Sequence, residues 1–408
     1  MSPKGVLDWI NRRLPLSDFI EKNLTGYHAP RNLSYLWNFG AIAGTFYAVQ
    51  VITGIWLAMF YKPDAALAFD SVQYIMREVH WGWLIRNIHA NGSTAIFVAI
   101  YVHMARGLYY GSYKKPRELL WYIGFFIFLS FMAEAFMGYV LPWGQMSFWG
   151  ATAITNVFTV IPVVGPGLTA LIRGDFAMGD ATLTRFFALH TTFIPVAVIG
   201  SLIALHLIAL RMTGSNNPEG VDFDKKWPLS VPFYPYYVTK DLWFLALYAL
   251  VFLYIVFFDP RMFLEPVNNE PANPLETPLN IVAEWYLLPF YAILKTVPSK
   301  LGGVVALATA ILSIGLLPVL DRSKVRSARY RPVKRVLTWI FFVDFVLLGY
   351  VGKYQPNAVS FLGVTMHTLG VFAASYYLLY FITMPIVSYY EPVRTPAGEF
   401  LSTEDRGD

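Results

Sequence analysis

The sequence contains no cysteine and is poor in charge. Without cysteine the chain forms no disulfide, holds no thiolate-ligated iron–sulfur cluster and offers no C-x-x-C-H attachment point. Any iron–sulfur or thioether-linked centre that works with it must sit in another polypeptide. Charged residues make up 14% of the 408 residues, against about 25% in an average soluble domain. Hydrophobic residues make up 56% and aromatic residues 17%. That imbalance, together with long apolar runs, predicts an all-α integral membrane protein. The net charge of +5 calls for no nucleic-acid partner, because the bases gather in a few loops. The opening segment MSPKGVLDWINRRLPLSDFIEKN has no apolar core, so no cleavable signal peptide is expected.

Apolar stretches long enough to span a bilayer fall at roughly 36–60, 83–108, 119–140, 186–210, 242–258, 302–320, 336–352 and 361–387. Eight transmembrane helices place both termini on one side. The segment 321–335 carries seven bases, 112–118 carries three and residues 1–35 carry five, whereas 259–284 is acidic. Basic loops stay inside, so both termini are expected on the cytoplasmic side of a bacterial cytoplasmic membrane. The long connections 141–182 and 259–300 then lie outside. Both are rich in proline and aromatic residues, too apolar for solvated linkers, and are expected to form short interfacial helices. A division into an N-terminal four-helix bundle, 1–215, and a C-terminal domain, 216–408, follows the spacing of the spans.

Two of the spans carry a histidine near each end: His89 and His103 on one, His190 and His206 on the other. Fourteen residues at about 100° each turn about 1400°, within about 40° of four full turns, so His89 and His103 share a helix face. They stand about 21 Å apart along the axis, most of a hydrocarbon core of about 30 Å. The two spans run in the same direction, so His89 pairs with His190 at an outer level and His103 with His206 at an inner level. Neutral imidazole is a good axial ligand, and two stacked pairs suit two non-covalent b-type haems. Gly40 and Gly54 are also 14 residues apart, as are Gly124 and Gly138, and glycine at that spacing leaves room for a flat macrocycle. Arg86 and Arg106 each lie one turn outward from a histidine, placed to meet haem propionates. His28, His80 and His367 read as loop or interior residues. The spacing from His190 to His206 is 16, about 160° out of phase on an ideal helix, so a π-bulged helix near Pro195 is expected.

The segments WNFG (37–40), RNIHANG (86–92), RGLYYGSY (106–113), FMGYVLPWGQMSFWGAT (136–152), SNNPEGV (215–221) and AEWYLLPFYAIL (283–294) extend this pattern. With them, the chain resembles cytochrome b of the ubiquinol–cytochrome c reductase (cytochrome bc) complex over nearly its whole length. The familiar form of the last motif begins with proline, where this chain has Ala283. The undivided chain is more similar to the respiratory type than to the split photosynthetic form.

The resemblance implies a ubiquinol-oxidation site on the outer side formed by Tyr139, Gly150, Glu284 and Tyr286. Glu284 would accept a proton, and Tyr286 would hydrogen-bond a partner's histidine at the docking surface. It implies an inner quinone-reduction site with Asp241 and Lys240. Arg211 stands where respiratory members commonly place a further histidine, and would anchor a quinone carbonyl or a lipid phosphate. It further implies a Rieske iron–sulfur partner, a c-type cytochrome partner and a homodimer. Quinol oxidation would be bifurcated, one electron leaving to the Rieske protein and the other crossing the membrane by way of the haems. Two other readings stand beside it. A dihaem membrane anchor usually has fewer spans and lacks aromatic outer loops. A transporter with proton-relaying histidines favours repeats and polar groups at the midplane.

Overall fold

The computed structural model describes residues 3–222, 230–394 and 400–401, and they are mostly helical. The helices that matter for the site are α1 (Phe39–Ala58), α2 (Ala68–Arg77), α3 (Gly82–Tyr110), α4 (Glu118–Val140), α5 (Gln145–Val157) and α6 (Gly165–Arg173). They continue with α7 (Asp180–Thr213), α8 (Val238–Phe258), α9 (Leu288–Thr296), α10 (Lys300–Gly315), α11 (Pro332–Lys353) and α12 (Met366–Tyr390). Six of them, α1, α4, α7, α8, α11 and α12, are long and apolar enough to cross a membrane.

The other two expected spans differ for physical reasons. Helix α3 is 29 residues long, but Arg86, Asn87, His89, Asn91, His103 and Arg106 dilute its hydropathy. Those groups turn inward: Asn87 and Asn91 are buried, and the Asn91 amide donates to the carbonyls of Asn87 (3.1 Å) and Pro260 (3.0 Å). Helix α10 has 16 residues, about 24 Å at 1.5 Å per residue. It breaks before the proline-containing turn Leu317–Leu320.

Helices α1 and α3 lie side by side, as do α4 and α7, and these four surround the histidines. The expected irregularity is present. Residues Leu189–Gly200 form a π-helical stretch of 12 residues with Pro195 inside it. An excess of about 160° over four turns disappears if twelve residues each turn about 13° less than ideal, which the wider i→i+5 winding supplies. The carbonyl of Pro195 accepts a hydrogen bond from Tyr47 of α1 at 2.6 Å.

Short helices form in both long connections, α5 and α6 in the first and α9 in the second. Antiparallel β1 (His28–Pro30) and β2 (Ser230–Pro232) tie the N-terminal segment to the entry of α8. The apolar core runs without interruption through both halves. Phe128 of α4 meets Phe290 of α9 at 6.1 Å between ring centroids, and Phe290 meets Tyr377 of α12 at 6.5 Å.

Candidate functional site

Each of the four glycines faces one of the four histidines across a helix pair. A Cβ at Gly54 would lie 3.1 Å from His89 Cε1, and one at Gly40 would lie 3.0 Å from His103 Cε1. At Gly138 it would meet His190 Cε1 at 2.5 Å, and at Gly124 His206 Cε1 at 3.1 Å. No side chain larger than hydrogen fits at Gly138 without moving the ring. The glycines therefore let α1 and α4 approach the imidazoles on α3 and α7.

The rings come together in the expected pairs. His89 and His190 have centroids 6.1 Å apart, and His103 and His206 are 6.4 Å apart. At such separations two imidazoles can share one metal atom through bonds of about 2 Å each. Among the described residues no group of three or more His, Asp or Glu side chains gathers at metal-binding distance. Pairs of this kind fit a metal whose remaining donors belong to a macrocycle.

The ring partners differ from level to level. Thr53 Oγ1 lies 2.9 Å from His89 Nδ1 and donates its own proton to Val49 O at 2.7 Å, which leaves the hydroxyl oxygen to accept from the ring. His190 Nδ1 faces Glu134 Oε1 at 2.9 Å. At His103, Arg106 Nη2 approaches Nδ1 at 3.2 Å. A guanidinium only donates, so this contact puts the ring proton on Nε2, and binding a metal there requires Arg106 to turn to another acceptor. Its Nε is buried without a partner among the described residues, as befits a group short of an anion. Thr53 and Glu134 escaped the sequence reading because both reach the ring from another helix.

A cavity of about 230 Å³ opens at the His89/His190 level, lined by both histidines, Arg86, Tyr139, Glu284 and Tyr286. Burial pushes the Glu284 carboxyl up to about 8, and the Tyr286 hydroxyl donates to Glu284 Oε1 at 3.3 Å. Tyr286 is 3% exposed and its ring stacks on Phe97 at 4.0 Å. Its hydroxyl thus points at Glu284, within the cavity. Tyr101, not singled out in the sequence, holds the backbone here by donating to Tyr286 O.

Gly150 lies on α5 with open space where a Cβ would stand, away from the lining of this cavity. At the other end, Arg211 packs its guanidinium over Tyr27 (4.0 Å) and Phe233 (4.8 Å). Lys240 donates to Leu33 O at 2.5 Å, and Asp241 follows it in the first turn of α8.

The fold is that of a helical membrane protein whose bundle sets two histidine pairs at two levels. Residues 24–214 match the family model described as cytochrome b/b6/petB, and 271–378 match cytochrome b(C-terminal)/b6/petD. The cytochrome b of Rickettsia bellii is 51% identical over 388 residues, covering 95% of this chain and 94% of that one. That of Rhodospirillum rubrum is 51% identical over 387 residues, covering 94% and 93%. Among solved structures, a chain of a hyperthermophilic respiratory complex III superposes with a TM-score of 0.87 at 37% identity, covering 94% of this chain and 99% of that one. The chain belongs to the cytochrome b/b6 family.

Proposed function

We propose that this chain is the dihaem cytochrome b subunit of a proton-translocating quinol–cytochrome c oxidoreductase. It carries electrons across the membrane between an outer ubiquinol-oxidation site and an inner quinone-reduction site. The fourfold apposition of glycine and histidine carries this reading: it brings the helices close at four paired imidazoles, and the ring separation at each level fits one metal within a flat macrocycle. A b-type haem held at each level would supply reversible one-electron chemistry at its iron. His89 with His190 and His103 with His206 hold the two groups. Gly40, Gly54, Gly124 and Gly138 make room for them, and Arg86 and Arg106 answer their carboxylates.

Quinol gives up two protons with its two electrons, so an acceptor is needed inside an apolar cavity. Glu284 is that acceptor; Tyr286 orients it, Tyr139 lines the cavity beside them, and Gly150 contributes from α5, beyond that lining. One electron leaves to a Rieske iron–sulfur protein and on to a c-type cytochrome, and the other crosses the membrane within this chain. Asp241 and Lys240 deliver protons to quinone at the inner site, where Arg211 anchors a carbonyl or a lipid phosphate. The working form is a homodimer of chains with eight spans, divided at 215/216, with both termini cytoplasmic and α5 and α6 lying at the outer interface.

The test is a pyridine haemochrome count with a redox-titrated difference spectrum on the purified chain. Two b-type haems titrating at separate potentials are expected, with His206→Leu removing only the inner one. A folded preparation without haem overturns the proposal.

A further inference from the structure

Glu134 has no part in the proton handling proposed above, yet it is a carboxylate within an apolar span, where such groups are costly. It lies on α4 four residues before Gly138 and so on the same helix face. That places it beside the ring that Gly138 accommodates. His190 Nδ1 faces two acceptors there, Glu134 Oε1 at 2.9 Å and the Glu134 backbone carbonyl at 3.0 Å. The second carboxylate oxygen is buried and has no hydrogen-bond partner among the described residues. With two acceptors at Nδ1, the ring proton belongs on Nδ1 and Nε2 keeps its lone pair.

No other histidine of the two pairs is served in this way. His89 meets a hydroxyl, Thr53, and His103 meets a cation, Arg106. At His206 no side-chain partner of Nδ1 is found among the described residues. The carboxylate partner is thus confined to one of four rings, at one of two levels.

We infer that Glu134 is a positioning residue for His190 that lowers the midpoint potential of the haem at the His89/His190 level. The inference rests on the dihaem reading. A carboxylate accepting the Nδ1 hydrogen bond fixes the metal-binding tautomer and makes the imidazole a more basic donor. A more electron-rich axial ligand favours the oxidised iron, and so lowers the potential. Confined to the outer level, the effect biases an electron to move inward.

The experiment compares wild type, Glu134→Gln and Glu134→Asp in the full chain by haem count, redox titration and EPR of the oxidised low-spin haems. In the Gln variant the backbone carbonyl still accepts from Nδ1, so haem should be retained. Its outer-level midpoint should rise while the inner one stays in place, and the outer g-anisotropy should move toward that of a neutral imidazole. The Asp variant should move both readouts back toward wild type. Two haems with unchanged potentials in Glu134→Gln overturn the inference, as does a raised potential without change in the EPR signature, which would mean through-space charge alone. Haem loss in both variants would assign Glu134 a structural role and also overturn it. A wild-type chain with fewer than two haems would instead refute the dihaem reading itself.

Discussion

Glu284 is the residue whose chemistry is most directly testable. Burial raises its carboxyl to about 8, so below that pH the folded chain holds it protonated and unable to take a proton from quinol. Quinol oxidation should therefore accelerate as pH rises through about 8. Glu284→Gln should remove that limb and slow turnover by roughly 10²-fold, with both haems still bound; steady-state rates across pH check this. The same shift has a sign for stability. Because the folded pKa is raised, stability falls as pH climbs from the unfolded value of about 4.3 toward 8, and the Gln variant should lose that slope. A second residue-scale expectation concerns Gly138, where a Cβ would stand 2.5 Å from His190 Cε1. Gly138→Val should displace the ring and cost the outer haem alone, read as a halved haemochrome count. His89, His103 and the glycines were legible because helix geometry turns a spacing of 14 into a shared face, and the 16-residue spacing of His190 and His206 was legible only as an irregularity. Glu134 and Thr53 were not, since what they touch is set by the approach of a neighbouring helix and no spacing encodes it.

Among the elements, α7 departs furthest from regular geometry. A 16-residue spacing between ring-bearing positions forces extra winding, and the sequence already located it near Pro195. The means of stabilising it was not legible. A π-helical turn with an interior proline frees backbone carbonyls, and Tyr47 of α1 answers the one on Pro195. Tyr47→Phe leaves that carbonyl without its donor and should destabilise the fold by about 1–3 kcal/mol, read as a lower thermal midpoint in detergent. If the hydroxyl merely rests there, the midpoint stays unchanged. Helix α3 teaches the opposite lesson about hydropathy. Its polar side chains lower its hydropathy, yet Arg86 and His89 line the cavity and Asn87 and Asn91 are buried, so the groups that face the interior blur the signal of the helix that carries them.

At the scale of the whole molecule, the seven bases of 321–335 set the expected orientation, and that charge count concealed an architectural role. Arg331 and Lys334 are 0% exposed. Asp321 is ion-paired with Lys114 at 2.9 Å, Arg331 at 2.7 Å and Lys334 at 2.9 Å, and Tyr113 donates to it as well. Arg331 also meets Glu391 at 2.5 Å. Two carboxylates, Asp321 and Glu391, thus tie the loop after α3, the entry to α11 and the end of α12 into a single knot. Gly111 permits it: at φ 69° it closes α3 with its α-carbon so near Arg326 that a Cβ would stand 2.3 Å from the carbonyl oxygen. Burial pushes the Asp321 carboxyl up, but Lys334, Arg331 and Lys114 together hold it well below the usual range. Its contribution is therefore present above the unfolded pKa of about 3.9 and lost only as pH falls well below it. Asp321→Asn should leave Lys114 and Lys334 without their carboxylate, Arg331 keeping only Glu391, and cost about 3–5 kcal/mol. Because the knot lies away from the glycine-lined pairs, the variant that does fold at low temperature should keep both haem spectra while melting earlier. A variant that melts with wild type would mean that water, and not Asp321, compensates these cations.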